Sequence, residues 1–438
     1  MMDRRSFVKI GSLAGTAALL PKFSFAAVKG SDTIKVGLVG CGGRGTGAFA
    51  NMATADKNIK LVAVADLFGD RSENAFKRIQ NNMKKAKIDD ADAAKIVEPD
   101  KVKKFSGFDA IDGLLKEDVD VVIDATPPIF RTPHFEKIVA AGKHAFLEKP
   151  AAVDITQARK MYKLADEADK KGLTVVCGNQ RRYADRYADM VKRIQDGEFG
   201  EPISMECYWN AGYYVGGANI DKLNLDISSI EYQIRKWGAF IWTSGDHIVE
   251  QHVHNIDVLM WVLGDNRFPE DLRGLGGRSN ELEAPKHGDR FSHFQIDYNM
   301  GQGLRMQSYC QQDPGASGDV SERVTLSKGV IANMGRNFVD AKTGKEIMRA
   351  KSGGLDPYIN EHVVLLKSIR NGQRVNALRP LLNTNLVAIA GRESAFSGQK
   401  FKYQAYVAKA NQDLMPKDMN LKALNPVKVP VPGKYKWA

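Results

Sequence analysis

The sequence predicts an α/β protein in which an N-terminal doubly wound parallel sheet is followed by a second domain containing antiparallel strands. Three observations carry that expectation. At 438 residues the chain is too long for one small core. Between Ile34 and Cys177, short β-branched runs alternate with stretches of helical pattern, the rhythm of a parallel sheet with helical crossovers. From Pro202 to Tyr208 and from Phe291 to Gln312 the side chains alternate instead, as antiparallel strands require.

Residues 1–26 stand apart from this pattern. Arg4 and Arg5 precede Phe7 and Lys9, an apolar run follows from Ile10 to Leu20, and Ser24-Phe25-Ala26 supplies a small-x-small cleavage signal. The paired arginines resemble a twin-arginine signal, with Asp3 where Ser or Thr is usual, and they predict recognition by the twin-arginine export machinery and a periplasmic location. No cysteine lies at the cleavage point and no later run reaches the ~20 apolar residues of a membrane span, so no stable membrane anchor is expected. Of the formal charge of +11, residues 1–26 hold +3, and the remaining +8 is spread along the chain. Its densest cluster, Lys84, Lys85 and Lys87, sits beside Asp89 and Asp90, which reads as a solvated helix face and not a nucleic-acid surface. The four cysteines form no C-x-x-C pair, so no disulfide framework is expected, although one disulfide is compatible with export.

The first domain spans 33–150. Ile34–Val39 reads as a strand, then Gly40-Cys41-Gly42-Gly43-Arg44-Gly45 opens a helix over about 43–54. This G-x-G-x-x-G lies where it has physical meaning: the first glycine permits the turn, the second clears space for a pyrophosphate, and the third lets helix and strand approach. The helix N-terminus offers free N–H groups to phosphate. A second strand, Leu61–Ala65, ends in Asp66, 21 residues past the third glycine, where a carboxylate meets a ribose 2′-hydroxyl. That favours NAD over NADP, with Arg71 leaving NADP as the alternative. A charged helix follows at 69–86, a polar surface insertion at 87–102, a strand at Lys103–Phe105, a helix at Ala110–Leu115 and a buried strand at Val119–Ala125. A helix at Phe135–Ala141 and a strand at His144–Leu147 complete the sheet. Right-handed crossovers bring the strand ends to one crevice. Thr126 and Pro127 follow one strand there, and Glu148-Lys149-Pro150 follow the next.

V-G-C-G-G-R-G, A-V-A-D, T-P-P, A-G-K-H-A-F-L-E-K-P and G-N-Q-R-R-Y together resemble the glucose–fructose oxidoreductase / inositol dehydrogenase / rhizopine-catabolism (Gfo/Idh/MocA) family over residues 34 to about 200. The resemblance implies a Rossmann domain, then a C-terminal α+β domain over 151–410 with an open, mostly antiparallel sheet whose outer face makes a homodimer or homotetramer. It also implies a carbohydrate substrate. By family position Gln180 is a candidate for contact with the nicotinamide or the substrate, and Arg182 either contacts substrate or braces structure. One departure concerns the helix after T-P-P: the family histidine position holds Arg131, and His134, one turn later, is left without a role.

Past Pro150 the pattern gives a helix at 154–171, a strand at Leu173–Cys177, a helix to about Gly197, helices again over 355–397, and an extended arm over 411–438 able to wrap a neighbouring subunit. Between Tyr208 and Trp242 the chain is dense in aromatics and reads either as a loop over the crevice or as packing. His247, Glu250, His254, Asp257 and Trp261 then fall on one face of a continuous helix, with His252 off that face. Oxidising a hydroxyl needs a proton acceptor, for which a neutral histidine is suited. Lys149 can hold the charge developing on oxygen. The family pattern Asp-x-x-x-His is matched by Glu250-x-x-x-His254, followed by Asp257, so the resemblance implies a catalytic role for Lys149, Glu250 and His254, with Asp257 as a substrate contact. A metal site, a structural face and a subunit interface remain alternatives for the stripe; no metal is assigned, since the i, i+4 histidine pair is missing.

The expected function is NAD-dependent oxidation of a sugar or cyclitol hydroxyl, with the cofactor held tightly. A cofactor exported with the folded protein must be recycled in place. Two alternatives are glycoside cleavage through transient oxidation, elimination and re-reduction, and a sugar-binding protein without turnover.

Overall fold

Strand order is what places the functional crevice. The computed structural model describes residues 32–212, 223–279, 282 and 287–437. Residues 1–26, with the expected leader, lie outside them, as do Tyr213 and Tyr214. Six parallel strands form the first sheet: β1 (Ile34–Val39), β2 (Ile59–Asp66), β3 (Lys103–Ser106), β4 (Val121–Asp124), β5 (His144–Leu147) and β6 (Val175–Cys177). Their order is β3-β2-β1-β4-β5-β6. The order reverses between β1 and β4, which pair directly, so the crevice opens beyond Val39 and Asp124. β1 and β4 are buried because helices cover both faces of the sheet, which accounts for their β-branched sequences.

The second sheet has nine strands. They are β7 (Pro202–Asn210), β8 (Asp271–Gly277), β9 (His293–Asn299), β10 (Arg305–Gln311), β11 (Asp319–Leu326), β12 (Val330–Asn333), β13 (Asn337–Asp340), β14 (Glu346–Arg349) and β15 (Phe401–Lys402). All pairings are antiparallel except β7 with β10. One face alternates buried residues, such as Met205 and Cys207 on β7, which pack into a core shared with the helices. The Leu378–Ser397 helix is buried along almost its whole length in that core, and Pro357–Asn371 returns to the first domain, where Leu365, Leu366 and Ile369 join Phe49 and Met52.

Three departures from the sequence reading concern the 69–86 helix, the stretch 87–102 and the arm. The 69–86 helix is divided, Gly69–Glu73 and Ala75–Lys85, at Asn74. The stretch 87–102 is not simply a polar insertion: Asp89 caps an Asp90–Ile96 helix, and Ile96, Val97 and Val102 are buried. All four cysteines are buried and unpaired, so no disulfide forms among them. The arm packs on its own chain, with Gly433 N–H donating to Ser397 O and Trp437 against Phe401 and Tyr406.

Candidate active site

The glycine turn is tight against the next strand. Gly40 has φ of +90°, and a Cβ there would lie 2.7 Å from the Ala125 carbonyl carbon. A Cβ on Gly45 would fall 1.9 Å from Gly40 O, so helix and turn meet backbone to backbone. Gly42 and Gly43 differ: a Cβ on Gly43 meets nothing within 4 Å, and one on Gly42 meets only Arg71 Nη1. Both border a cleft of about 470 Å³ whose walls also include Gly40, Arg44, Asp66, Thr126 and Pro127. Asp66 is held by Cys41 N–H (2.8 Å) and Phe68 N–H (3.0 Å), and burial pushes its carboxyl up from the ordinary value. The open space at Gly42 and Gly43, beside free N–H groups opening Gly43–Ala55 and a fixed carboxylate, fits the pyrophosphate and ribose of a dinucleotide. Phe68, Arg71, His134 and Trp237 also line this cleft.

The T-P-P loop is fixed from beneath by a buried ion pair. Arg131 Nη1 lies 3.1 Å from Asp124 Oδ1 and donates to Asp124 O, while Nη2 donates to Thr126 O at 3.1 Å. Asp124 is fully buried; burial alone would raise its carboxyl, but Arg131 and His134 outweigh it and lower it to about 2. His134 is therefore more than a helix-face residue: Nδ1 is 3.6 Å from Asp124 Oδ2, and the ring borders the cleft.

Glu148 meets the glycine loop through Arg44. Arg44 Nε pairs with Glu148, Nη2 reaches Glu361 Oε1 at 2.9 Å, and the guanidinium lies 4.9 Å from the Tyr358 ring centre. Gly178 makes room for this, since a Cβ there would be 2.6 Å from Glu148 Oε2. Burial holds the Glu361 carboxyl well above its ordinary value, with Arg44 opposing. Glu361 and Tyr358 were not foreseen. They lie on the returning Pro357–Asn371 helix, and the one local signal is a Glu361-His362 pair on the buried side of an otherwise aliphatic helix.

Lys149 and Glu250 are brought together: Lys149 Nζ donates to Glu250 Oε1 at 2.6 Å and to the Glu250 carbonyl. His254 is buried nearby and stacks on Trp209, ring centres 5.9 Å apart and planes 22° apart. Burial, then the charges of Lys149, Arg181 and Arg44, hold its imidazole well below the ordinary histidine value, so it is neutral near pH 7. A neutral base beside an ammonium with a fixed counter-ion can take a hydroxyl proton and stabilise the oxygen that loses it.

Several expected contacts are not made. The helical stripe is broken, because His247–Glu250 and Val253–Val262 are separate helices with Gln251 and His252 between them. His247 consequently points into the second-domain core beside Phe294 and Cys310. Asp257 and Arg182 are closed to a substrate. Arg182 donates twice to Asp257 at 2.8 Å and twice to Asp265, and it lies 5.3 Å from the Trp261 ring centre. Asn179 and Thr384 take up the remaining capacity of Asp257. This is a brace. Gln180 does not border the dinucleotide cleft; its amide donates to Tyr358 Oη at 3.0 Å, beside a separate cavity. Glu148 and Lys149 also stand off the cleft wall, Glu148 reaching it through Arg44. The aromatic segment divides: Trp209 meets His254, Trp237 borders the cleft, and Tyr232, Phe240 and Trp242 are packing residues.

Residues 34–176 match the GFO_IDH_MocA family model, described as an oxidoreductase family with an NAD-binding Rossmann fold. The chain is 24% identical over 336 residues to scyllo-inositol 2-dehydrogenase (NAD(+)) of Bacillus subtilis (strain 168), covering 74% of this chain and 79% of that protein. It is 27% identical over 170 residues to a glycosyl hydrolase family 109 protein of Streptomyces coelicolor, covering 39% of this chain and 32% of that one. In structure it resembles myo-inositol 2-dehydrogenase from Lactobacillus plantarum, with a TM-score of 0.61 at 18% identity over 85% of this chain and 99% of the other. The glycine turn, the carboxylate at the end of β2 and the strand order agree with that match: residues 34–176 are similar to the NAD-binding Rossmann domain of the GFO_IDH_MocA oxidoreductases, and the protein is an NAD-binding oxidoreductase.

Proposed function

We propose that the protein oxidises a secondary hydroxyl of a sugar or cyclitol at a site formed by Lys149, Glu250 and His254. The observation that carries this is the Lys149–Glu250 ion pair (2.6 Å) beside a buried, neutral His254, just past β5, the neighbour of the strand β4 after which Ala125 and Thr126 border the dinucleotide cleft. NAD, when bound, supplies the acceptor for the hydride of the carbinol carbon. His254 accepts the hydroxyl proton. The Lys149 ammonium faces the oxygen as negative charge develops, and Glu250 fixes the ammonium so that little reorganisation is needed. Gly42, Gly43 and the N–H groups that follow hold the pyrophosphate, and Asp66 accepts from the ribose hydroxyls, which supports NAD over NADP. The likeness to an inositol dehydrogenase supports a polyhydroxylated ring as substrate.

A second reading, glycoside cleavage by oxidation, elimination and re-reduction, draws support from the likeness to a glycosyl hydrolase family 109 protein. In both readings we propose export by the twin-arginine route, a tightly held cofactor, and assembly through the open face of the second sheet. Purified protein, with no cofactor added, is denatured and its supernatant assayed for NAD and NADP. Intact protein is then given inositols, monosaccharides and aryl glycosides while 340 nm absorbance and aglycone are followed. Reduction of bound NAD by one sugar supports oxidation. Aglycone release without net reduction supports cleavage. Neither reduction nor aglycone release with any compound, in protein containing NAD, sinks both.

A further inference from the structure

A second cavity of about 540 Å³ shares no lining residue with the dinucleotide cleft, and neither the family match nor the proposed chemistry gives it a use. It lies between the Gln180–Tyr183 turn, β11, the turn joining β12 to β13, and the start of the Pro357–Asn371 helix. Four arginines line it, Arg181, Arg186, Arg323 and Arg336, against two carboxylates, Asp319 and Glu322. Glu322 is buried and already engaged: it pairs with Arg181 and accepts from Asn255 Nδ2 at 2.6 Å. Arg323 pairs with Glu206 at 2.8 Å. Arg186 and Arg336 make no direct ion pair among the described residues, and Arg336 is near enough to Glu322 for its charge to favour that carboxylate. The Gln180 Oε1 atom is buried at the same cavity without a hydrogen-bond partner among those residues.

The cavity is joined to the reacting centre. The Arg181 guanidinium lies 5.9 Å from the Trp209 ring centre, Trp209 stacks on His254, and Arg181 is one of the cations that keep His254 neutral. On the opposite wall, Tyr358 touches both Gln180 and Arg44 of the glycine loop. Through Arg181 and Trp209 the positively charged recess thus neighbours His254.

Resting on the oxidoreductase reading above, we infer that this recess binds an anionic group of the substrate, a carboxylate or sulfate carried by the sugar or by the residue attached to it, so that the substrate class is an acidic carbohydrate. Two guanidinium groups outside direct ion pairs can each present paired N–H donors to the oxygens of a carboxylate or sulfate, which an ammonium cannot do. The Gln180 carbonyl oxygen is placed to accept from a neighbouring hydroxyl.

The test is calorimetric titration of the NAD-loaded protein with D-glucose, D-glucuronate and D-glucose 6-sulfate at low and high salt. The acidic sugars are expected to bind about tenfold tighter than glucose, and the advantage should shrink as salt rises because Arg186 and Arg336 are exposed. The tighter of the two anions identifies the group. In the R186Q/R336Q double variant the advantage disappears while bound NAD and melting temperature are unchanged, and R186K/R336K retains part of it. Equal binding of charged and neutral sugars, failure of every anionic sugar to bind, or a preference that survives R186Q/R336Q would overturn the proposal. Because the readout is binding, absence of nicotinamide reduction would count against the oxidoreductase reading alone.

Discussion

At the residue scale the chemistry rests on which groups are charged before substrate arrives. His254 is surrounded by three cations and buried, so protonating it is costly and it enters the reaction as a base. The sign follows directly: its value is depressed, so lowering the pH through 6.5 leaves it neutral, and activity falls only at lower pH. The acid limb of kcat/KM is therefore expected below 6.5, and a limb at or above that value would mean His254 is not the titrating base. His254→Asn should lower kcat/KM by ~100- to 10,000-fold with NAD content unchanged. Glu250→Gln removes the counter-ion of Lys149 but leaves the backbone carbonyl that also accepts from Nζ. Misplacing the ammonium by a fraction of an ångström should reduce kcat by ~10- to 100-fold, with KM altered much less. Stopped-flow reduction of bound NAD separates these effects.

At the scale of elements, what was legible from sequence is what local pattern controls. G-C-G-G-R-G with Asp66 at the end of the next strand located the cofactor cleft, because turn geometry and strand length fix that relation within one β-α-β unit. The 247–261 stripe was legible only in part. A helical wheel assumes continuity, and the break at Gln251 and His252 turns His247 away while leaving Glu250 and His254 near Lys149. Arg182 and Asp257 have the residue types of a sugar site, yet they close on each other, which depends on their near neighbours Asn179 and Asp265 and on Thr384 from far along the chain. Glu361 was hidden for the same reason, being more than 200 positions from Glu148. The Asp124–Arg131 pair is a further case: a strand ending in a buried aspartate is tolerable only because the next helix supplies a guanidinium. Arg131→Leu should thus cost ~3–5 kcal/mol by leaving a buried carboxylate unpaired, and Asp124→Asn in the same chain should restore part of it. Asp124 has a folded-state value of about 2, below the ordinary 3.8. Its contribution is present above pH 3.8 and is lost as pH falls toward 2. Urea unfolding at pH 7 and pH 3 should show the gap between wild type and Arg131→Leu narrowing at the lower pH.

At the scale of the whole molecule, the second domain and the arm together close the cofactor cleft. Ile234 and Trp237 border the cleft from a segment beyond the Rossmann domain, and Arg235 lies 3.6 Å from the Phe68 ring centre, tying that segment to the loop after β2. The arm then fixes the segment in place. Ile230 N–H donates to Ala423 O, Glu231 N–H to Leu421 O, and Asn425 N–H to Ser228 O. The buried Gln233 side chain bridges Asn425 and Trp242. Leu414, Met419 and Leu421 pack on the apolar cluster around Phe68, Ile230 and Phe240. Lifting this segment exposes that cluster and breaks backbone hydrogen bonds at once, which is expected to slow the release of a cofactor bound beneath it. Retention of NAD through gel filtration is therefore expected of the wild-type protein. Trp237→Ala removes the side chain that borders the cleft and should raise the NAD dissociation rate by ~10- to 100-fold, about 1.4–2.7 kcal/mol in barrier. Asn425→Ala removes the hydrogen bond from Asn425 Nδ2 to Gln233 while the Asn425 carbonyl and Trp242 still partner that amide, an effect of ~0.5–1.5 kcal/mol on the anchoring, and should raise the same rate by a smaller factor without touching the cleft. His254→Asn should leave it unchanged. Dissociation is read by trapping released NAD with an excess of an alcohol dehydrogenase. Equal rates in the wild type, Trp237→Ala and Asn425→Ala would show that the segment does not retain the cofactor. A rise in Trp237→Ala alone would assign retention to that one ring and leave the arm as packing.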